Sequence, residues 1–145
     1  MSSTASAHVL LEPEEGELIE VAGNRIRIIA ASAGQLVCDY SAAPEFAGPP
    51  LHVHPGFDET YFVLEGVLEV VVGEERHELV AGGAAYVSGS TPHTFANPTG
   101  TRTRFLSVCS PGGFEDFFRA MAAGDRAAIA EVSERFGYRS VEHAR

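Results

Sequence analysis

The run HVHPGFDE at residues 52–59 holds two histidines and a glutamate, and a third histidine, His93, follows further along the chain. With the chain's own content of His and Glu, an HxH followed by Glu at this distance is expected by chance roughly 0.03 times per chain. Imidazole and carboxylate groups are ligands for first-row transition metals. If His52, His54, Glu59 and His93 act together, the fold must bring residues 52–59 next to residue 93.

Length and composition predict a single globular domain without targeting segments. The chain has 145 residues, 45% of them hydrophobic and 21% charged, with a formal net charge of −10 and no lysine. An acidic surface of this kind repels nucleic acid and anionic membranes, so we expect neither as a partner. The N-terminal residues lack the basic and apolar regions of a signal peptide, and no apolar run approaches the length of a membrane span. We therefore expect a cytoplasmic protein.

The two cysteines, Cys38 and Cys109, each lie in an apolar run. A pair of cysteines is too few for the disulfide framework of a small secreted domain. We expect both to be buried, reduced and packed as small apolar side chains.

The middle of the chain is a succession of short apolar or alternating runs separated by Gly, Pro and Asn. Residues 25–29 alternate at period two, which is typical of a strand with one solvated face. Further strands are predicted at 35–40, 52–54, 60–64, 68–72, 76–80, 84–87, 93–96 and 103–109. Many short strands without intervening helices predict an all-β antiparallel sandwich or barrel over residues 21–112, preceded by an acidic arm at 1–20.

Residues 113–145 change to a helical period and are expected to pack on the barrel. A first helix is indicated by an apolar stripe at i, i+3, i+4 and i+7, formed by Phe114, Phe117, Phe118 and Met121. Asp125 is a suitable N-cap for a second helix that Gly137 would end. Its inward face would carry Ile129, Val132 and Phe136.

Strand geometry explains how the four candidate ligands could converge. Residues two apart in a strand project from the same face, so His52 and His54 should both point inward. The turn at 55–57 reverses the chain and lets Glu59 enter the next strand, and His93 should point inward from a neighbouring strand. Neutral imidazoles with one carboxylate suit one Fe, Mn, Ni, Co, Cu or Zn ion per chain rather than Ca or Mg. Four protein ligands leave two octahedral positions for a substrate or for a substrate and O₂.

Several assignments around these ligands stay open at this point. Tyr40, Tyr61 and Phe95 are substrate-pocket candidates by strand alternation, although such residues more often belong to a barrel core. Asp58 precedes Glu59, but its parity in the strand points it away. The remaining histidines, His8, His77 and His143, lack partners at ligand spacing. Glu59 could be a structural ligand only or also a catalytic base.

The ligand-bearing runs resemble the two sequence motifs of the cupin superfamily. In the first motif, G-x5-HxH-x3,4-E-x6-G, the histidine pair, Glu59 and Gly66 match. The leading glycine does not, because Gly48 has only three residues between it and His52. In the second motif, G-x5-PxG-x2-H-x3-N, the matching residues are Gly82, His93 and Asn97, while serines 88 and 90 replace the usual proline and glycine.

A narrower resemblance is to small quercetinase-like bacterial cupins, carried by GPPLHVH at 48–54 and by SPGGFE at 110–115 before a Phe-rich segment. It implies a cupin jelly-roll β-barrel (a double-stranded β-helix) with short C-terminal α-helices, commonly a homodimer. It also implies a metal ion held by the residues matching His52, His54, Glu59 and His93. For flavonol-cleaving members it implies dioxygenase chemistry, with the glutamate as both ligand and proton acceptor.

Three functions are compatible with these residues. The first is a metal-dependent dioxygenase, an oxidoreductase acting on a small aromatic or enolic substrate such as a flavonol. The second is a non-oxidative isomerase or cyclase in which the metal acts as a Lewis acid. The third is a metal-loaded protein that binds a small molecule without turnover.

Overall fold

The computed structural model describes residues 7–142, which form eleven strands and two helices. Both helices lie between the tenth and the eleventh strand. The strands are β1 (Glu17–Val21), β2 (Asn24–Ala31), β3 (Leu36–Ala42), β4 (His52–Val53), β5 (Asp58–Glu65), β6 (Val67–Val72), β7 (Glu75–Val80), β8 (Ala84–Val87), β9 (His93–Ala96), β10 (Thr103–Ser110) and β11 (Arg139–Ser140). The helices are α1 (Glu115–Ala123) and α2 (Arg126–Phe136). Each strand predicted between residues 25 and 109 is present.

The strands form two antiparallel sheets that enclose one core. The six-stranded sheet has the order β1-β2-β3-β10-β5-β8, and the five-stranded sheet has the order β11-β4-β9-β6-β7. Consecutive strands repeatedly change sheet, as in the step from β5 to β6 through Gly66. A Cβ atom on Gly66 would lie 2.7 Å from Thr103 Oγ1, and its φ of +83° also favours glycine. This jelly-roll arrangement confirms the predicted all-β fold.

The core is built by inward-facing residues at every second strand position. Tyr61 and Val63 on β5 and Phe105 on β10 are each 0% exposed. Cys38 and Cys109 are also buried and free, as the sequence predicted. Because alternate residues of both sheets supply this core, their polar neighbours are left on the outer surface.

Strand β1 lies in the segment that was expected to be part of an acidic arm. It pairs with β2, with Ile19 opposite Ile26 and 5% exposed, while Glu17 and Glu20 remain on the surface. Charged residues are common on an edge strand because they discourage pairing with other chains. The acidic composition therefore concealed a strand at residues 17–21. Residues 7–16 form no strand, and residues 1–6 lie outside the described part of the chain.

The two C-terminal helices follow the predicted pattern. Asp125 caps α2 by accepting a hydrogen bond from Ala128 N, and Gly137 ends it in the left-handed conformation. Val132 and Phe136 are buried, whereas Met121, expected on the apolar stripe of α1, is 41% exposed. Within residues 7–142, neither helix has the length and apolar character needed to cross a membrane. After α2 the chain returns to the five-stranded sheet, where β11 pairs with β4.

Candidate metal centre

Three histidines from two neighbouring strands converge inside the fold. His52 on β4 pairs directly with His93 on β9, and His54 follows β4. The three side chains are between 0% and 4% exposed. Their candidate ligand nitrogens all lie within 4.8 Å of one another, and Nε2 of His54 is 2.9 Å from Nε2 of His93. Strand parity thus gathers His52, His54 and His93 at one point, as the sequence predicted for these side chains.

Backbone carbonyls fix the orientation of all three imidazole rings. Each Nδ1 atom lies 2.7–2.9 Å from a carbonyl oxygen, namely that of Pro50 for His52, Phe57 for His54 and Thr91 for His93. A carbonyl only accepts hydrogen bonds, so each Nδ1 carries a proton and each ring directs its Nε2 atom into the cluster. Three Nε2 atoms that converge in this way need a cation among them, because their lone pairs would otherwise repel one another. This donor set therefore fits a divalent transition metal ion.

Burial keeps the His52 imidazole neutral. Its removal from water lowers the pKa of His52 to about 4, and the neighbouring imidazoles act in the same direction. A histidine must be unprotonated at Nε2 to bind a metal ion. His52 therefore has the ligand form at neutral pH.

Glu59, on β5, lies beside His54 and His93, and its side chain is 13% exposed. Its Oε1 atom is 3.3 Å from Nε2 of His54 and 3.8 Å from Nε2 of His93. Tyr61 donates a hydrogen bond of 3.1 Å to Oε1, and Ser107 donates one of 2.7 Å to Oε2. Burial alone would raise the pKa of Glu59, but contacts with His54, His93 and Ser107 outweigh it and hold that pKa well below its usual range. The carboxylate is therefore ionised.

The other acidic and imidazole groups lie away from this cluster. Asp58 accepts a hydrogen bond of 3.0 Å from Gly89 N and faces outward, as its parity predicted. His8 is exposed, and the side chain of His77 is 56% exposed beside Glu75. His143 lies outside the described residues.

A cavity of about 260 Å³ adjoins His52, His54 and Glu59. Tyr40 and Phe95, two of the three expected pocket residues, line it. Tyr61 differs from this expectation, because it is fully buried behind Glu59 and is not among the lining residues. Its hydroxyl orients the carboxylate instead, so strand alternation correctly gave its inward direction but not its depth.

The C-terminal segment closes one side of the cavity, which the sequence did not predict. Phe114, Phe117, Phe118 and Met121 line it together with Tyr138. The Tyr138 ring stacks on that of His52, with centroids 4.9 Å apart and planes inclined by 28°. Tyr138 follows the end of α2 and carries no periodic signal. By contrast, Ser107 could have been found, because it alternates with the buried Phe105 on β10.

A glycine turn and one polar side chain near the cluster keep its strands in place. Gly89 lies so close to the loop after β4 that a Cβ atom on it would be 2.2 Å from the carbonyl oxygen of His54 and 2.0 Å from that of Phe57. The Asn97 amide group donates to the carbonyl oxygens of Ala43 and Thr101 at 2.9 and 2.7 Å. Asn97 therefore secures the loop after β9 and is not a metal ligand.

The match to known proteins agrees with this geometry. The family model for the cupin domain matches residues 40–109, which contain all four candidate ligands. The chain belongs to the cupin superfamily. It is a small cupin that resembles quercetinase-like proteins, and its three-histidine cluster makes it a metal-binding member.

Individual relatives place this cupin near both oxidative and non-oxidative proteins. It is 38% identical to a quercetin 2,3-dioxygenase of Bacillus subtilis over 63 residues, 43% of this chain. The match spans only 18% of the length of that curated relative. The structure of KdgF from Halomonas sp. is similar with a TM-score of 0.67 and 19% identity, covering 75% of this chain and 98% of that one. A sugar phosphate isomerase of the cupin superfamily from Silicibacter pomeroyi is 27% identical, with a TM-score of 0.55 and coverage of 62% and 60%.

Proposed function

We propose that this cupin is a metal-dependent dioxygenase acting on a small aromatic or enolic substrate such as a flavonol. The observation that carries the proposal is the convergence of three imidazole Nε2 atoms, with His52, His54 and the ionised Glu59 carboxylate at the wall of a cavity lined largely by aromatic rings. The partial identity with a quercetin dioxygenase supports the same reaction class.

His52, His54, Glu59 and His93 would hold one divalent transition metal ion per chain, drawn from Fe, Mn, Ni, Co, Cu and Zn. A bound ion of this kind supplies Lewis acidity and, where it is redox-active, electron exchange with O₂. The protein contributes ring orientation through the three carbonyl contacts and carboxylate orientation through Tyr61 and Ser107. Such outer contacts commonly determine metal affinity.

The cavity favours an uncharged or singly charged aromatic ligand. Tyr40, Phe95, Phe105 and Tyr138 supply ring surfaces. The chain has no lysine, and within residues 7–142 no arginine lines the cavity. A phosphate group would therefore lack a cationic side chain in this cavity. This separates the proposed substrate from the sugar phosphates named for one structural relative.

Glu59 is proposed as both ligand and proton acceptor. Its carboxylate adjoins the cavity, where an enolic hydroxyl of a bound substrate could reach it. The carboxylate is ionised and can therefore accept a proton from an enolic hydroxyl. Ser107 and Tyr61 would hold the accepting oxygens in position.

Oxygen uptake tests the reaction class. Metal-free protein would be reloaded in turn with Fe²⁺, Mn²⁺, Co²⁺, Ni²⁺, Cu²⁺ and Zn²⁺, and O₂ consumption and substrate absorbance followed with a panel of flavonols and simple catechols. We expect one O₂ consumed per flavonol lost with at least one redox-active metal, and loss of turnover with partial metal retention in Glu59→Gln. No uptake with any redox-active metal would contradict the proposal.

A non-oxidative isomerase or cyclase is the second candidate, favoured by the 27% identity to a cupin isomerase. Such an enzyme would convert its substrate under anaerobic conditions, also with redox-inactive Zn²⁺. A metal-loaded binding protein would bind a flavonol with neither O₂ uptake nor conversion. Nuclear magnetic resonance of the substrate under argon separates these two alternatives.

A homodimer is also proposed for this chain. Large apolar side chains remain on the surface at Phe62, Val80 and Tyr86, which are 41%, 62% and 65% exposed. Burial of exposed apolar side chains is a common driving force for association. Light scattering on the purified protein would measure the mass, and a monomer at micromolar concentration would contradict the proposal.

A further inference from the structure

Two phenol groups that line the cavity have no hydrogen-bond partner among residues 7–142. Tyr40 is 7% exposed and Tyr138 is partly buried, and both line the cavity beside Glu59. Neither hydroxyl takes part in a hydrogen bond among residues 7–142, whereas Tyr61 donates to Glu59. Neither is among the fully buried polar atoms that lack a partner, so both hydroxyls are open to the cavity and available to a ligand that enters it.

The two rings are held firmly, which makes their hydroxyls fixed donors. The ring of Tyr40 stacks on Phe105 with centroids 4.9 Å apart and meets Phe95 edge-on at 5.4 Å. The ring of Tyr138 lies 4.9 Å from that of His52 and 4.9 Å from that of Phe117. One tyrosine comes from the six-stranded sheet and the other from the C-terminal segment, so the donors approach the cavity from different elements.

Both phenols remain protonated at neutral pH. Burial, followed by the charge of Glu59, raises the pKa of Tyr138 to about 12. The same two causes raise the pKa of Tyr40 above its usual range, and the proximity of Tyr138 contributes in the same direction. Both hydroxyls line the same cavity as Glu59, and as protonated phenols they can donate hydrogen bonds to an oxygen atom of a ligand there.

We propose that Tyr40 and Tyr138 form a two-donor site that binds the oxygen atoms of the substrate next to the histidine cluster. The inference rests on the proposed function and specifies its substrate. One oxygen atom of the ligand would reach the metal ligands. The ligand must also carry carbonyl, enolate or ring oxygens that accept hydrogen bonds from phenols. Ring stacking by Phe105 and Phe117 would hold the rest of the ligand. Tyr138 thereby makes the C-terminal segment part of the binding site.

The test measures binding, with no need for turnover. Zn²⁺-loaded protein would be titrated with 3-hydroxyflavone and, separately, with tropolone, a small aromatic chelator with two adjacent oxygens. The variants are Tyr40→Phe and Tyr138→Phe, which remove only the hydroxyl. The matched control is Tyr86→Phe, because Tyr86 lies on the outer face of β8 and is 65% exposed. Metal content is measured in every sample.

We expect the dissociation constant of each probe to rise about three- to tenfold in each cavity variant, which is the range for one lost hydrogen bond. The control and the metal content should be unchanged. Unchanged or tighter binding in both cavity variants would overturn the inference, and an effect in only one of them would overturn the two-donor arrangement. If the wild type binds tropolone but no flavone, the flavonol function fails and tropolone still decides the role of the tyrosines. Binding of neither probe by the wild type would overturn both.

Discussion

Ser107 donates a hydrogen bond of 2.7 Å to Oε2 of Glu59 across the pairing of β10 with β5. The other carboxylate oxygen accepts from Tyr61 at 3.1 Å. Two hydroxyl groups thus fix the plane of a carboxylate that has imidazoles on its open side. Replacing Ser107 would therefore change the orientation of the Glu59 carboxylate without removing a candidate metal ligand. This makes Ser107 a suitable position at which to test the role of Glu59 in metal binding.

Replacing Ser107 by alanine should weaken metal binding about tenfold while leaving the fold intact, because orienting contacts to metal ligands typically contribute tenfold or more. Competition with a chromogenic chelator would measure the affinity, and circular dichroism the fold. Ser41→Ala is the control, since its hydroxyl lies on the outer surface beside Arg102. Equal affinities in the two variants would show that Ser107 does not orient a metal ligand.

The close approach of Gly89 to His54 predicts a second effect. In Gly89→Ala the new Cβ would meet the His54 and Phe57 carbonyl oxygens at 2.2 and 2.0 Å, so the loop that holds His54 must move. We expect the free energy of unfolding to fall by about 2 kcal/mol or more, as for other overpacked sites, and metal stoichiometry to drop. Urea denaturation and elemental analysis measure the two quantities.

Gly100→Ala provides the comparison for that substitution, because a Cβ atom on Gly100 meets nothing within 4 Å. It should keep wild-type stability and metal content. A Gly89→Ala protein that matches the Gly100→Ala protein in both respects would show that the turn beside His54 is looser than described.

Metal binding should stabilise the folded protein through the three histidines. At a free metal concentration one hundred times the dissociation constant, mass action adds about 2.7 kcal/mol to the free energy of unfolding. The wild type should therefore melt at a higher temperature with Zn²⁺ than with a chelator, and His93→Ala should lose most of this difference. His77→Ala, at a side chain 56% exposed and remote from the cluster, should keep it. A full metal-dependent shift in His93→Ala would contradict the assignment.

The ligand cluster was predictable from sequence because strand parity and residue type act together. Along their strands, His52, His54 and His93 alternate with residues that point to the opposite face of the sheet. The turn at 55–57 sets the separation along the chain between Glu59 and the pair His52 and His54. Parity gives direction but not depth, so Tyr61 was expected at the cavity although it lies behind the carboxylate. The same limit applies to Ser107, whose inward position follows from β10 but whose partner is on another strand.

The contribution of the C-terminal segment was not predictable, because it depends on where a helix pair docks. The stripe on α1 and the capping residues of α2 define helices, yet no local pattern shows which barrel end they cover. Tyr138 reaches His52 only because β11 pairs with β4 after α2. Strand β1 was concealed for a different reason, since the charges of an edge strand resemble those of an unstructured acidic arm.

Asp39 supplies a pH-dependent part of the stability. It lies on the outer face of β3, 6% exposed, with Oδ2 2.6 Å from Arg27 NH2 and 2.8 Å from Arg104 NH2. Burial alone would raise the pKa of Asp39, but the hydrogen bonds from Arg104 and Arg27 outweigh it and lower that pKa below its usual value. A carboxyl whose pKa is lower in the folded state contributes stability above its unfolded pKa of about 3.9 and loses it as the pH falls through the folded value.

Asp39→Asn should therefore lower the free energy of unfolding by about 2 kcal/mol at pH 7, less than a fully buried pair because the Arg104 side chain is 41% exposed. At pH 3, below the unfolded pKa of about 3.9, the difference between variant and wild type should shrink, because unfolding of the wild type is then coupled to proton uptake by this carboxyl. Urea denaturation of metal-free protein at both pH values measures it, and Glu65→Gln, at a side chain 69% exposed beside Arg104, should have little effect at either. An Asp39→Asn deficit of the same size at pH 3 and pH 7 would show that packing, and not charge, accounts for the contribution of Asp39.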